Sequence, residues 1–274
     1  MSGFEVEIWG ARGSVVSSDA NQRRTGSNTT CVSVTVAGHV TILDAGTGLV
    51  PLGKSLGADR PHDLSLFLTH YHYDHVQGLN FFAPLASGQT KLTIHAGTAH
   101  SRESTEDVLG ALFSPPFCPN KLTGYPAQIT FGSFADRQPI PIAGGATLIP
   151  YQLNHPSAAY GFRIEYQGKV FAFAPDFELG NPAGDAALAA LVQDADLALL
   201  DAMFTVDELE TRRGYGHSTW SEVAQICAHA NVASWQMFHH SPCRTDDQLD
   251  EMEAALRQKF PTCGAARERD RYVL

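Results

Sequence analysis

The chain has 274 residues, of which 43% are hydrophobic and 18% charged, so it can form a large core and global disorder is excluded. Its formal net charge of -10 repels phosphate backbones, which argues against general binding to nucleic acids. Its apolar runs are all shorter than the roughly 18 residues that a membrane-spanning helix needs, so we expect no membrane contact.

Ten apolar or alternating segments predict strands, and no repeat or linker divides them into separate domains. These are residues 4–9, 31–37, 39–43, 64–68, 92–95, 146–153, 160–166, 169–174, 197–200 and 234–238. Helices are predicted at 101–112, 185–193, 219–230 and 245–259. This order favours one domain, residues 1–274, with two sheets packed face to face and helices outside. A mixed three-layer α/β fold fits the pattern almost as well.

Two of the predicted helices begin at capping boxes, in which a threonine and an acid or amide satisfy each other's backbone N–H groups. Thr219 pairs with Glu222 at the start of helix 219–230, and Thr245 pairs with Gln248 at the start of helix 245–259. These two helix starts are therefore the most sharply defined boundaries in the predicted structure.

The strongest functional signal is HYHYDH, from His70 to His75, which follows strand 64–68 almost directly. His70 and His72 are two positions apart, so they point the same way from an extended strand end and can bind one metal ion. Asp74 and His75 follow at the next turn and can face a second ion. Imidazole and carboxylate ligands suit zinc, with manganese and iron as alternatives. The competing interpretation is an accidental cluster of surface histidines.

A two-metal site needs further ligands from distant segments, and three of them stand at the ends of predicted strands. His155 follows strand 146–153, Asp176 follows the apolar VFAFAP, and either His239 or His240 follows SWQMF. A single histidine at a strand end is more often structural than a ligand. Five histidines without such a pattern are expected to be surface or structural groups: His39, His62, His95, His100 and His229.

In these motifs, and in LDAGTG at 43–48, the chain resembles the metallo-β-lactamase superfamily. Within that superfamily it is most similar to the phosphodiesterase branch, which contains ribonuclease Z and the cyclic-phosphate diesterases. The similarity lies in GARGS at 10–14, RTGSNTTC at 24–31, GHSTW at 216–220 and FHHSP at 238–242. The resemblance implies an α/β (α+β) fold, the four-layer αββα sandwich, with metals held in a groove at the sheet edges.

The resemblance assigns seven ligands to two divalent metal ions, zinc first and Mn²⁺ or Fe as alternatives. The first ion would be held by His70, His72 and His155, the second by Asp74, His75 and His239, and both by Asp176 as a bridge. A hydroxide would lie between the ions. His239 is preferred over His240 because the family ligand stands two residues before a serine, and Ser241 meets that pattern.

The resemblance also implies roles in catalysis and substrate binding. Asp74 would orient the nucleophile, and His217 would assist departure of the leaving group as proton donor or phosphate ligand. A structural histidine at a helix start is the alternative interpretation of His217. Asp44 resembles the family's buried acid that orients a ligand imidazole, with a simple turn former as the alternative. Asn28 and Thr29 are expected to line the pocket.

Two positions depart from the family pattern. Ser27 stands where a second glycine is expected in GGNT, and Phe177 follows the bridging acid where relatives have threonine or histidine. Neither change removes a ligand, but both bear on the shape of the pocket.

We therefore predict a metal-dependent hydrolase of a small phosphodiester, a cyclic nucleotide or another cyclic phosphate. Ribonuclease Z grips tRNA with a basic arm between its third histidine and its bridging aspartate, whereas here only 20 residues, with two predicted strands, separate His155 from Asp176. No tRNA arm fits in that interval. The alternatives are hydrolysis of a lactone, thioester or β-lactam on the same fold, an iron-dependent oxidoreductase, and a non-catalytic metal-binding scaffold.

The segment 110–145 is rich in Pro, Gly and Phe and shows poor periodicity. Long connections of this kind are more often functional than not. We predict that it forms a wall or lid of the active-site groove, or a subunit contact in a homodimer, with Phe113 and Phe117 at that surface.

The cysteines bear on the compartment. The five are scattered, none forms a CxxC pair, and MSGFEVEIWG at the N-terminus shows no secretory signal. Free thiols are typical of a reducing environment, so the sequence predicts a cytoplasmic protein.

Overall fold

Two seven-stranded sheets form the centre of the computed structural model, which describes residues 3–99, 101 and 103–274. The order of the first sheet is β14-β1-β2-β3-β4-β5-β6. Its strands are β1 (Phe4–Gly10), β2 (Cys31–Val36), β3 (His39–Leu43), β4 (His62–Leu68), β5 (Thr90–Gly97), β6 (Gln128–Phe134) and β14 (Arg271–Val273).

The second sheet has the order β13-β12-β11-β10-β9-β8-β7. Its strands are β7 (Ile140–Ile142), β8 (Ala146–Leu153), β9 (Ala159–Tyr166), β10 (Lys169–Ala174), β11 (Leu197–Asp201), β12 (Trp235–Phe238) and β13 (Cys263–Ala265). The chain thus completes six strands of the first sheet before it crosses at 135–139 into the second. It returns to the first sheet for β14 alone.

Six α-helices accompany the sheets in the part of the chain that the structure describes. They are α1 (Leu49–Leu56), α2 (Thr105–Leu112), α3 (Pro182–Val192), α4 (Val206–Glu210), α5 (Trp220–His229) and α6 (Asp246–Arg257). Both predicted capping boxes are present, at the starts of α5 and α6, and α4 begins with a third that was not predicted. None of the helices that the structure describes is long and apolar enough to cross a membrane.

The alternation of side chains along β10 shows how the layers pack. Phe171 and Phe173 lie in the core that both sheets share, whereas Ala172 and Ala174 lie in the cluster that α3, α5 and α6 form on the outer face. Successive side chains of a strand point to opposite faces, so large rings fill the space between the sheets and small residues let helices approach. A third cluster buries α1 and α2 against the first sheet. The four-layer αββα prediction is confirmed, and the three-layer alternative is excluded.

All ten predicted strands are present, with small shifts at their ends, but several short elements were not predicted. These are β6, β7, β13, β14, α1 and α4. Two of them, β6 and β7, lie inside 110–145, so the description of that segment as irregular is wrong in part. The strand β6 is at a sheet edge and is largely half-exposed or exposed, so its sequence lacks a continuous apolar run.

All five cysteines lie in the described residues and are unpaired, as predicted. Cys31, Cys227 and Cys263 are buried, Cys118 is half-buried and Cys243 is exposed. Cellular location stays a prediction.

Candidate metal centre and active site

The ends of the central strands of both sheets meet at one place. In the second sheet β10, β11 and β12 are mutually parallel, and β8 runs in the same direction because it and β10 are both antiparallel to β9. Their carboxyl ends therefore lie at the same edge of the sheet. The predicted residues follow these ends: His155 after β8, Asp176 after β10 and His239 after β12.

The first sheet supplies its residues from a single loop. His70 and His72 follow β4 in extended chain, and their ring centroids are 4.3 Å apart. The next residues, Tyr73–His75, form a single 3₁₀ turn in which Asp74 and His75 are buried. Ser14 donates its backbone N–H to Asp74 Oδ2 over 2.7 Å, which fixes that carboxylate.

The structure brings all seven predicted ligands together. Two triads, each with its ligand atoms within 4.8 Å of one another, are His70 with His72 and His155, and Asp74 with His75 and His239. Across the sheets, His72 Nδ1 is 3.2 Å from His155 Nε2.

Asp176 lies between the two triads. Its carboxylate oxygens are 3.1 Å from His75 Nε2, 3.2 Å from His239 Nε2 and 4.0 Å from His155 Nε2. The Asp176 carboxylate is thus close to residues of both triads, and its role as a shared ligand stays a prediction.

Unpartnered polar atoms show that the cluster suits metal ions. Within the described part of the chain, His70 Nε2, His75 Nε2 and Asp176 Oδ2 are buried without a well-formed hydrogen bond. Leaving such an atom unpaired costs about 1–3 kcal/mol, a cost that coordination to a cation removes. Imidazole nitrogen and carboxylate oxygen are also the donors that zinc, iron and manganese accept.

The electrostatics of the cluster point the same way. Burial lowers the pKa of His75, but the three surrounding carboxylates outweigh burial and hold that pKa well above its usual range. An excess of negative charge therefore surrounds the imidazole. Burial lowers the pKa of His239 to about 3, which keeps that ring in the neutral form that binds metal.

Asp44 holds the first-sheet loop from behind. It is fully buried, and its carboxylate accepts hydrogen bonds from His75 Nδ1 at 2.8 Å and from the backbone N–H of Thr69 at 2.8 Å. The Thr69 hydroxyl also bonds Asp44 and lies 3.1 Å from His70 Nδ1. These contacts leave the Nε2 atoms of both histidines directed into the cluster.

His217 is bound by an acid that the sequence analysis did not identify. Its Nδ1 donates to Asp201 Oδ2 over 2.7 Å and lies 3.8 Å from Asp176 Oδ1. Burial raises the pKa of Asp201 to about 6, and the charge of Asp201, acting against burial, raises that of His217 to about 9. The available signal was the acid that ends LALLD, because β11 ends at the same edge as β10 and β12.

Glu178 joins the second-sheet loops and was not predicted either. Its carboxylate accepts the backbone N–H groups of Gly214 and Gly216, each at 2.8 Å. Its own backbone exchanges hydrogen bonds with Asn154, at 2.8 and 2.7 Å. Gly216 in turn accepts a 2.8 Å bond from His155 Nδ1. Through its carboxylate and its backbone, Glu178 thus connects the segments that contain His217 and His155.

Three residues that the sequence considers for the site make contacts elsewhere in the chain. His240 donates from Nε2 to the Ala266 carbonyl over 2.8 Å, which directs its ring away from the triads. Asn28 bonds Glu268 through its amide and is half-buried, so its place in the pocket stays a prediction. Thr29 is fully buried and accepts from the Thr47 backbone N–H, and its place in the pocket likewise stays a prediction.

The two phenylalanines that were predicted at a surface differ in exposure. Phe113 is only 3% exposed and packs in the core beneath α2, so its predicted place on a surface is wrong, whereas Phe117 is 77% exposed. Asp136 and Arg137, from the same segment, line a cavity of about 460 Å³ together with His155. His100 lies outside the described residues.

Comparison with known proteins agrees with this geometry. Residues 39–240 match the family model described as the beta-lactamase superfamily domain. Ribonuclease Z of Bradyrhizobium sp. (strain ORS 278) is 25% identical over 315 aligned residues, which cover 99% of this chain and all of the relative.

Solved structures show the same fold. The metallo-beta-lactamase fold protein YhfI from Bacillus subtilis superposes with a TM-score of 0.75 at 18% identity, covering 99% of both chains. A diphosphatase from the PhnP family has a TM-score of 0.72 at 20% identity, covering 99% of this chain and 98% of its own. The resemblance predicted from the motifs is confirmed: this chain belongs to the β-lactamase superfamily and has the metallo-β-lactamase fold.

Proposed function

We propose that the protein is a two-metal phosphodiesterase that hydrolyses a small substrate, a cyclic nucleotide or another cyclic phosphate. The observation on which this depends is the hydrogen-bonded pair of His217 and Asp201 beside the two ligand triads. Metal ligands alone suit many hydrolytic reactions. A buried histidine, held by an acid next to the shared carboxylate, adds the proton donor that departure of an alkoxide needs.

Each part of the proposed site has its own role in hydrolysis. Two bound divalent ions would supply a hydroxide at neutral pH and stabilise negative charge on the phosphoryl oxygens. Asp74, fixed by the Ser14 N–H, orients the attacking oxygen by accepting its hydrogen bond. Because Asp201 engages Nδ1 of His217, Nε2 is the nitrogen that we assign to the leaving oxygen.

The strands between His155 and Asp176 support the proposal of a small substrate. There β9 and β10 form a hairpin joined by two residues, Gln167 and Gly168, so the interval holds no protruding arm. The alignment with the bacterial ribonuclease Z spans 315 positions, 41 more than the 274 residues of this chain, so that relative contains segments without a counterpart here. Together with the net charge of -10, this favours a small diester over tRNA.

A hydrolysis screen beside metal analysis tests the proposal. The zinc-loaded protein is offered bis-p-nitrophenyl phosphate, 2′,3′- and 3′,5′-cyclic nucleotides, a precursor tRNA, a lactone, a thioester and a β-lactam. We expect about two ions per chain and turnover of the diesters, with cyclic nucleotides preferred over tRNA. Preferred hydrolysis of a carboxylic substrate would contradict the proposal, as would oxygen consumption by an iron-loaded sample.

A matched pair of variants controls the screen. His217→Ala removes the proposed proton donor, whereas His229→Ala removes an exposed histidine from the helix that follows it. Loss of diester hydrolysis in the first variant and not in the second assigns the activity to this site rather than to a contaminant.

A further inference from the structure

Two large aromatic side chains stand exposed beside the metal centre. Tyr73 is 62% exposed and Tyr215 is 64% exposed, whereas the residue that directly follows each of them, Asp74 and Gly216, is buried. We propose that these tyrosines form a subsite for the base of a nucleoside phosphodiester. This inference rests on the proposed function and names its substrate class: a nucleotide rather than a sugar or glycerol phosphate.

The position of Tyr73 follows from the alternation within HYHYDH. Tyr71 lies between the two first-triad histidines, points away from them, and donates its hydroxyl to Thr105 Oγ1 at 3.0 Å. Tyr73 begins the 3₁₀ turn, and the other two residues of that turn, Asp74 and His75, are buried in the centre. The ring of Tyr73 is therefore the part of this turn that faces solvent, one residue from a ligand on either side.

The position of Tyr215 is fixed by the residues that flank it. Gly214 and Gly216 both have positive φ, 87° and 91°, and both donate their N–H groups to the Glu178 carboxylate. A Cβ on Gly216 would lie 2.3 Å from His155 Nδ1, so only glycine fits there. The backbone is thus held on both sides of Tyr215 while its ring stays exposed, which is a prearranged contact surface rather than a loose loop.

A short series of contacts connects the two tyrosines. His72, next to Tyr73, lies 3.2 Å from His155 through their ring nitrogens. His155 in turn donates to the carbonyl of Gly216, next to Tyr215, over 2.8 Å. Since neighbouring Cα atoms are about 3.8 Å apart, the backbones of both tyrosines lie beside the same triad.

The chemistry of the rim favours a flat, neutral partner. A chain with net charge -10 gains little by attracting nucleotides through surface charge, and the metal centre is the site for the phosphate. Aromatic side chains bind bases by stacking, which works for every base because each has a π-face. Two exposed rings beside a phosphodiester centre therefore match a nucleoside attached to the scissile phosphate.

Paired substrates test the inference. Tyr73→Ala and Tyr215→Ala, loaded with zinc, are assayed on a nucleoside 2′,3′-cyclic phosphate and on glycerol 1,2-cyclic phosphate, which has no base. We expect the ratio of the two kcat/KM values to fall about tenfold for each substitution, through KM for the nucleotide. Tyr→Phe at the same positions should restore the ratio, since a phenyl ring also stacks. Phe81→Ala, which removes a 71% exposed ring outside the two triads, is the control.

A binding measurement separates this inference from the proposed function. Calorimetry with a nucleoside monophosphate reports on the tyrosines even if no diester is hydrolysed. Weaker binding in both alanine variants supports the subsite, and unchanged binding overturns it. An unchanged ratio of kcat/KM values also overturns it, as does dissociation of a dimer into monomers in the variants, which would make the tyrosines a contact with a second copy.

Discussion

The two sheets contribute to the centre in different ways. The first sheet supplies four of the predicted ligands from six consecutive residues, His70 to His75, and Asp44 supports this loop through its hydrogen bond to His75. The second supplies single residues from separate strand ends: His155, Asp176, Asp201 and His239. Each triad nevertheless takes its third member, His155 or His239, from the second sheet. The first sheet contributes one continuous loop. The second sheet contributes residues that only strand pairing brings together, and neither sheet contains all seven predicted ligands.

The largest effect on metal binding and hydrolysis is expected from removing the carboxylate that lies between the two triads. Asp176→Asn keeps the shape of the side chain but removes the charge between His75 and His239. We expect bound metal, measured by mass spectrometry, to fall from two ions to at most one, and hydrolysis to be lost. Asp196→Asn, which removes an acid that directly precedes β11 and binds Lys169 outside the centre, is the control. Two retained ions in Asp176→Asn would show that the triads bind independently.

Removing His217, the proposed proton donor, should not change the number of bound metal ions. His217→Ala is expected to retain both ions while kcat falls about 10²–10⁴-fold, with a smaller loss on p-nitrophenyl esters because their leaving group needs little protonation. His155→Ala, by contrast, should lose metal as well as rate. Equal losses of His217→Ala on activated and unactivated diesters would make His217 a phosphate-positioning residue.

The two buried acids, one from each half, should have separable effects. Asp44→Asn weakens the support of a ligand imidazole, so metal affinity should fall about 10–100-fold in competition with a chelating dye. Asp201→Asn acts on His217 and should leave that affinity close to the original while kcat falls. A change of metal affinity in Asp201→Asn as large as that in Asp44→Asn would contradict this division.

The smallest effect is expected at the Glu178 contact. Glu178→Gln leaves one carbonyl oxygen for two N–H donors, and hydrogen bonds to a charged acceptor contribute about 1.5–3 kcal/mol each. Hydrogen exchange at residues 211–217 should therefore accelerate, with a few-fold loss of activity. Unchanged exchange there, compared with a Glu106→Gln control at an exposed position of α2, would show that the carboxylate does not hold this loop.

The same contrast explains what could be predicted from the sequence. The run from His70 to His75 is visible because its spacing is local, and β10 is visible because both of its faces are buried and apolar. The distant ligands were placed by family resemblance, since no local spacing connects His155 with His239.

Asp201 and Glu178 were not predicted because the groups that they contact come close only in the folded chain. Asp201 pairs in register with Phe238, one residue before His239, and this neighbour relation exists only once β11 and β12 are side by side. Glu178 binds backbone N–H groups of Gly214 and Gly216, which leave no mark in the sequence beyond the glycines themselves. The residue types in the sequence indicated a metal site, whereas contacts that depend on the folded backbone could not be predicted from it.

The crossing at 135–139 has a consequence for how this chain can vary. It leads from the edge strand β6 to the edge strand β7, so added residues there interrupt no ladder within either sheet. Loops of this kind tolerate insertions. Asp136 and Arg137 at this crossing line the cavity beside His155. Lengthening this one loop can therefore change the cavity beside His155 while the residues of the two triads remain untouched.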